Sequence, residues 1–295
     1  MITLQEIRYV RLGAANLEHA VEFAQQILGL QLAARERNRA YLRSDDREYS
    51  LCYVAGDPAL HATGFVLPAA EALDVAAAEL EAAGHAVHWC SADDCDMLRV
   101  KRGLRFSDPS GNTIELVWRP ADSGRRYFPS RDAGVTGFSH IGLRTTDSAR
   151  DEAFWTKVCS ARVSDWIGEA PLLRINAVHH TLALFPSAHP GVQHINHQVA
   201  SIDDVMRSYY FLREQGVRIT FGPGRHPTSS AIFLYFQGPD AMIYEYSTGV
   251  KLITDEANHK PRQFTFDKTG FCMWGSEPEI EEFKAKPGPS LSVVS

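Results

Sequence analysis

The feature that most constrains this chain is that it repeats itself. The segment QEIRYVRLGAANLEHAVEFAQQILGLQLAAR (5–35) aligns with TGFSHIGLRTTDSARDEAFWTKVCSARVSDW (136–166), which puts Tyr9 on His140 at an offset of 131. TGFVLPAAEALDVAAAELEAAGHAV (63–87) aligns with QHINHQVASIDDVMRSYYFLREQGVRI (193–219), with Asp74 on Asp204. FSDPSGNTIELVW (106–118) aligns with FQGPDAMIYEYST (236–248), with Glu115 on Glu245. A near-constant offset over more than a hundred residues marks a duplication, and a repeated unit must bury its core against its neighbour.

Each half divides again into two units of one strand, one helix and about three strands. The helix of the last unit, SIDDVMRSYYFLREQG, has a Ser/Asp start signal and Gly216 at its stop. DPSGN (108–112) and GPDA (238–241) supply turns before the last strand of each half. The expected fold is therefore α+β, with four βαβββ modules in tandem paired into two barrel-like domains. The first domain spans 1–120 and the second 136–250. The Pro-, Gly-, Ser- and charge-rich stretch 121–135 links them, and an extension over 251–295 packs partly on the second domain and frays at its Pro/Ser end.

The net charge of −6 and an apolar fraction of 44% fit a soluble globular protein and argue against nucleic acid or an anionic membrane as partner. No apolar run approaches a membrane span, and MITLQEIRYV lacks the pattern of a signal peptide. Five cysteines without a CxxC pair, Cys52, Cys90, Cys95, Cys159 and Cys272, argue against a disulfide framework and read as buried small hydrophobes. A cytoplasmic location follows from these features.

The duplication acts as an internal control on chemistry. His140 stands where the first half has Tyr9, and His194 where it has Gly64; Glu245 recurs as Glu115 but without histidine neighbours. Only the second half combines two histidines and a carboxylate on three strands. Two neutral imidazoles and one carboxylate on one face of a divalent ion leave positions open, as in non-haem Fe(II) oxygenases. Alone, His140 reads more readily as a half-buried strand histidine than as a ligand; an isolated strand glutamate is costly to bury unless it is paired or bound to metal. In GVQHINHQVASIDDV (191–205), alternation of side chains puts His194 and His197 on opposite faces.

These residues resemble the type I extradiol, ring-cleaving catechol dioxygenases of the vicinal oxygen chelate superfamily over roughly residues 5–250. GFSHIGLRTTD resembles the first-ligand strand, VQHINHQVASIDDV the HHxxxEVxxxDDV segment, MIYEYSTG the EYG segment, and AVHHTLALF the HTxAF strand. The resemblance implies Fe(II), or alternatively Mn(II), held by His140, His194 and Glu245. It implies His180 as acid/base, and Tyr235 and His226 as catalytic and substrate-binding donors to developing oxyanions. Thr228 and Ser229 stand where the family often has Asn and Asp, so Thr228 becomes a substrate-binding candidate and the ring-substituent preference stays open. Leu172, Leu173 and Ile243 are expected to line the site. Tyr246 is a further candidate, while His189 and His197 read as structural or exposed. His179, adjacent to His180 on a strand, is expected to face the other way.

The implied reaction inserts both atoms of dioxygen into a catechol, the implied partners are that small molecule and dioxygen, and a homo-oligomer is expected. A glyoxalase-type metal-dependent isomerase or lyase, or a hydroquinone-cleaving dioxygenase, remains an alternative on the same fold.

Overall fold

The computed structural model describes residues 1–284; the expected fraying of the Pro/Ser end falls at 285–295, outside the described residues. Four βαβββ modules follow one another. The first is β1 (Glu6–Ala14), α1 (Leu17–Gln26), β2 (Gln31–Arg35), β3 (Arg39–Arg43) and β4 (Leu51–Ala55). The second is β5 (His61–Val66), α2 (Glu71–Ala82), β6 (His88–Trp89), a short additional α3 (Ala92–Leu98), β7 (Arg102–Ser107) and β8 (Thr113–Trp118). The third is β9 (Val135–Thr145), α4 (Ser148–Lys157), β10 (Arg162–Ile167), β11 (Ala170–Arg174) and β12 (Leu182–Pro186). The fourth is β13 (Gly191–Val199), α5 (Ile202–Glu214), β14 (Ile219–Arg225), β15 (Ile232–Gln237) and β16 (Ile243–Thr248). The extension then adds β17 (Arg262–Phe264) and α6 (Lys268–Phe271).

Local chemistry sets the helix starts. Asn16, Asp147 and Ser201 each accept a backbone N–H from the first turn of α1, α4 and α5, satisfying donors that the helix itself leaves free. Gly216 follows α5 with φ +68°, where a side chain would be strained.

Each half forms its own sheet, in the order β2-β3-β4-β1-β5-β8-β7-β6 and β14-β15-β16-β13-β9-β12-β11-β10-β17. In both, the first strands of two modules meet antiparallel, and each pairs in parallel with the last strand of its own module. Tyr41 on β3, Val66 on β5, Leu98 on α3 and Val117 on β8 nevertheless meet in one buried cluster, so the first sheet curls around its interior. The second does likewise around Leu172, Phe185, Phe221, Phe233, Tyr235 and Ile243. Leu173 points away from this interior and joins the larger core instead, as alternation along β11 requires.

That larger core is continuous across both halves. Phe65 and Trp155 pack at 5.5 Å between ring centroids, and the Tyr53 and Tyr244 hydroxyls hydrogen-bond to each other. The connection between the halves is docked rather than loose: Arg131 donates to Ile27 O at 2.6 Å and to Ser208 Oγ at 3.0 Å. No helix among the described residues is long and apolar enough to cross a membrane. Of the cysteines, all free, Cys52, Cys159 and Cys272 are buried, whereas Cys90 and Cys95 are only half-buried.

Candidate metal centre

The central order β16-β13-β9 explains how three distant residues meet. Asn196 on β13 is the register partner of both His140 on β9 and Glu245 on β16, and His194 lies two residues from Asn196. The ring of His194 has room because its neighbour on β9 is Gly142, where a Cβ would sit 2.4 Å from His194 Nδ1. His140 Nε2 lies 3.1 Å from His194 Nε2 and 3.0 Å from Glu245 Oε2, and His194 Nε2 lies 3.5 Å from the same oxygen. All three side chains are buried.

The protonation pattern suits a cation. His194 Nδ1 donates to Gln193 Oε1, which leaves Nε2 as a lone pair facing His140 and Glu245. Burial pushes the His194 imidazole down to about 3. Burial alone would raise the Glu245 carboxyl, but His140, His226 and His194 outweigh it and hold the group well below the usual carboxylate range. Neutral imidazole and ionised carboxylate thus converge as buried acceptors, an arrangement that is costly unless a positive charge sits among them. Three mutually perpendicular bonds of about 2.1 Å to one ion keep ligand atoms about 3 Å apart, which is the spacing seen. Among the described residues, this is the one group of three His, Cys, Asp or Glu side chains arranged to hold a metal ion.

The first half shows the same topology closed to metal. Tyr9 occupies the place of His140, and its ring fills the space above Gly64, where a Cβ would lie 2.4 Å from it. Glu115 accepts from Tyr9 Oη at 2.9 Å, from Arg11 Nη2 at 2.5 Å and from Arg105 Nε at 3.0 Å. Tyr49, at the position of His180, stacks on Tyr9 at 4.9 Å, as His180 packs on His140 at 4.2 Å.

The other predicted residues divide. His180 is buried against His140, and burial, then His140, holds its imidazole well below its ordinary value. Tyr235 is the register partner of Glu245, and burial, then Glu245, keeps its phenol protonated. His226 Nε2 lies 3.3 Å from Tyr235 Oη and 3.6 Å from Glu245 Oε1. Its Nδ1 donates to Phe271 O at 2.8 Å, so the neutral ring offers Nε2 as an acceptor; donation from Nε2 requires the cationic ring. Thr228 is buried, its carbonyl accepts from Arg262 at 2.7 Å, and its side chain has no hydrogen bond to this group.

Several expectations need correction. Tyr246 lies away from the cluster, its hydroxyl donating to Ile27 O at 3.1 Å and accepting from Arg131. His197, as expected, faces away from His194 and is structural, buried against Phe138 at 6.0 Å. His189 is exposed. His179 and His180 do not point apart. They precede β12, which begins at Leu182, in a bent segment, and their Nδ1 atoms meet at 3.1 Å. The sequence reading also missed Gln193 and Phe283. Phe283, from the extension, packs at 5.8 Å from Tyr235, 4.7 Å from Phe185 and 6.4 Å from His194. A lone Phe after the acidic run EPEIEE carries no local signal of such a contact.

Comparison with known proteins agrees with this architecture. The iron-dependent extradiol dioxygenase of Rhodococcus jostii strain RHA1 is 26% identical over 94% of this chain and 98% of its own. A halotolerant catechol dioxygenase of known crystal structure superimposes with a TM-score of 0.86 at 22% identity, over 96% of this chain and 98% of the other. A Mn(II)-bound glyoxalase from Novosphingobium aromaticivorans gives 0.84 at 24% identity, over 99% and 97%. The model of the Glyoxalase/Bleomycin resistance protein/Dioxygenase superfamily matches residues 6–116 and 137–246, and the chain belongs to that superfamily.

Proposed function

We propose that this protein is an extradiol dioxygenase that opens catechol rings with both atoms of dioxygen, using Fe(II) held by His140, His194 and Glu245. One observation carries the reading: two imidazole nitrogens and a carboxylate oxygen lie 3.0–3.5 Å apart in one half, with His180, Tyr235 and His226 beside them. The ion would supply a centre at which the vicinal hydroxyls and dioxygen meet and across which electrons pass from one to the other.

The chain's own groups supply the rest. His180, neutral and buried, takes a proton from the catechol at Nε2 and later returns it to the departing oxygen. Tyr235 Oη donates a hydrogen bond to negative charge that develops on the ring oxygens. His226, backed by Phe271 O, accepts from a substrate hydroxyl when neutral and donates when cationic. Phe185, Phe221, Phe233 and Phe283 pack around these groups and keep water away from a charged intermediate, and this lining favours a catechol with an apolar substituent. Mn(II) in place of Fe(II) is compatible with the same ligands. The reading carries with it self-association into a homo-oligomer and a reducing, cytoplasmic location, in keeping with five free thiols.

A metal-dependent isomerase of the glyoxalase type is the second reading, favoured by the similarity to the Mn(II)-bound glyoxalase. Purified protein loaded anaerobically with Fe(II) separates them when mixed with a panel of catechols in air. The proposal expects one bound ion per chain and a yellow ring-opened product; bound metal with no catechol consumed in air overturns it.

A further inference from the structure

Behind His180 runs a buried chain of polar groups for which the reading above has no use. Asp165 on β10 is fully buried, and its Oδ2 lies 3.0 Å from His179 Nε2. His179 Nδ1 lies 3.1 Å from His180 Nδ1. The far end is anchored by the extension: Arg262 on β17 donates its backbone N–H to Asp165 Oδ1 at 2.7 Å, its Nε to the same atom at 3.2 Å, and its Nη2 to Oδ2 at 2.7 Å. The parallel pairing of β17 with β10 sets Arg262 opposite Asp165.

The order of donors and acceptors in this chain is forced. An ionised carboxylate only accepts, so His179 Nε2 bears the hydrogen. A neutral His179 then has only a lone pair at Nδ1, and His180 meets it by donating Nδ1–H. That leaves the lone pair of His180 on Nε2, the nitrogen a general base needs free. Among the described residues no protein hydrogen bond occupies that nitrogen. Two directions agree with this order. Burial opposes ionisation of Asp165, but His179 and Arg262 outweigh it and lower its carboxyl. Burial also lowers the His179 imidazole despite the pull of Asp165, so its ring is neutral.

We propose that Asp165, held by Arg262 of the C-terminal extension, and His179 are positioning residues that hold His180 in its Nδ1–H tautomer. The proposal rests on the acid/base role assigned to His180 for its consequence in catalysis, though not for the tautomer itself. The first half lacks the arrangement, with Tyr49 in the place of His180 and its hydroxyl donating to Leu98 O.

Asp165→Asn is the decisive variant. Arg262 makes two of its three donations to Oδ1, so the amide oxygen stays there and Nδ2–H turns toward His179. The chain then reverses: His179 donates from Nδ1, and His180 is left with Nε2–H and no free base. Long-range proton–nitrogen correlation spectra of full-length, metal-free protein labelled with 15N-histidine, assigned with His180→Asn, read the tautomer directly. The expected result is Nδ1–H at His180 in wild type and in Arg262→Gln, and Nε2–H in Asp165→Asn. Nε2–H in wild type, or no change in Asp165→Asn, overturns the proposal whatever the enzyme's activity.

Kinetics of the Fe(II)-loaded proteins add the second arm. Asp165→Asn and His179→Phe should lose roughly 100-fold in kcat with KM and metal content held, and His179→Asn should recover most of it, because its amide oxygen replaces Nδ1 as acceptor. If His179 were only packing, Phe would be the milder change, and that order contradicts the proposal. A wild type that never opens catechols sinks the functional reading, while the spectra still judge the tautomer.

Discussion

Replacing His197 with Phe should make the protein less sensitive to acid, by an amount the structure sets. His197 is buried at 1% exposure, and neither ring nitrogen has a hydrogen-bond partner among the described residues. Burial, helped by the nearby Arg47, pushes its imidazole down to about 3, against about 6.5 in an unfolded chain. The folded state therefore holds the ring neutral while the unfolded state takes up a proton below pH 6.5. The contribution is fully present above that pH and is lost steadily as pH falls from 6.5 toward 3. At pH 5 the gap is about 1.5 units, or about 2 kcal/mol at 1.36 kcal/mol per unit. Phe removes the titration and keeps a ring against Phe138. It also removes two unpaired buried nitrogens, so stability at pH 7.5 should hold or rise. Denaturant unfolding of metal-free protein at pH 7.5 and pH 5.0 measures the difference, because the other histidines titrate in both proteins and cancel. Wild type should lose about 2 kcal/mol more than the variant between the two pH values. The same loss in both would mean that His197 is hydrated or paired, and the burial argument would be wrong.

Other perturbations separate the roles of the two halves. His194→Ala should abolish stoichiometric metal binding while His197→Phe keeps it, as measured by elemental analysis after anaerobic loading; the reverse would invert the assignment on β13. His180→Asn should retain metal and substrate affinity but slow turnover by roughly 100- to 10,000-fold if proton transfer is its task; unchanged kcat would exclude that task. Glu115→Gln strands Arg11 beside a neutral amide in the first half. Because the Arg105 side chain is 34% exposed, the cost should fall at the low end for broken buried pairs, about 3 kcal/mol, with metal content unchanged in unfolding and metal assays run side by side.

Much of this architecture is written in the chain as a repeat. The offset of 130 to 131 places Glu115 on Glu245 and Tyr9 on His140 because both halves keep the same strand order. On β13 the alignment slips by two, since Tyr9 and Glu115 pair with Gly64 where His140 and Glu245 pair with Asn196, so His194 replaces Ala62 and not the expected Gly64. The lone extension has no counterpart, and nothing in its local pattern tells that Phe283 reaches His194 or that Arg262 meets Asp165. The pair His179–His180 shows a different limit. Alternation holds only in extended strand, and the bend before β12 turns both rings inward. Tyr246 is the converse case: an aromatic next to Glu245 lies on the opposite face of β16, and its contacts to Ile27 and Arg131 belong to the seam between the halves. Gln193 is legible only once His194 is known to need a fixed tautomer, since a glutamine beside a histidine has no pattern of its own.

The most direct test of the account is the oxygen balance of the Fe(II)-loaded protein. With an oxygen electrode and quantified product, ring cleavage requires one dioxygen consumed per catechol opened, no peroxide released, and no turnover under argon. His194→Ala should abolish oxygen uptake together with its metal. Product formed at full rate under argon, or oxygen consumed with only quinone and peroxide as products, would contradict the claim that the His140, His194 and Glu245 cluster is a ring-cleaving dioxygenase centre.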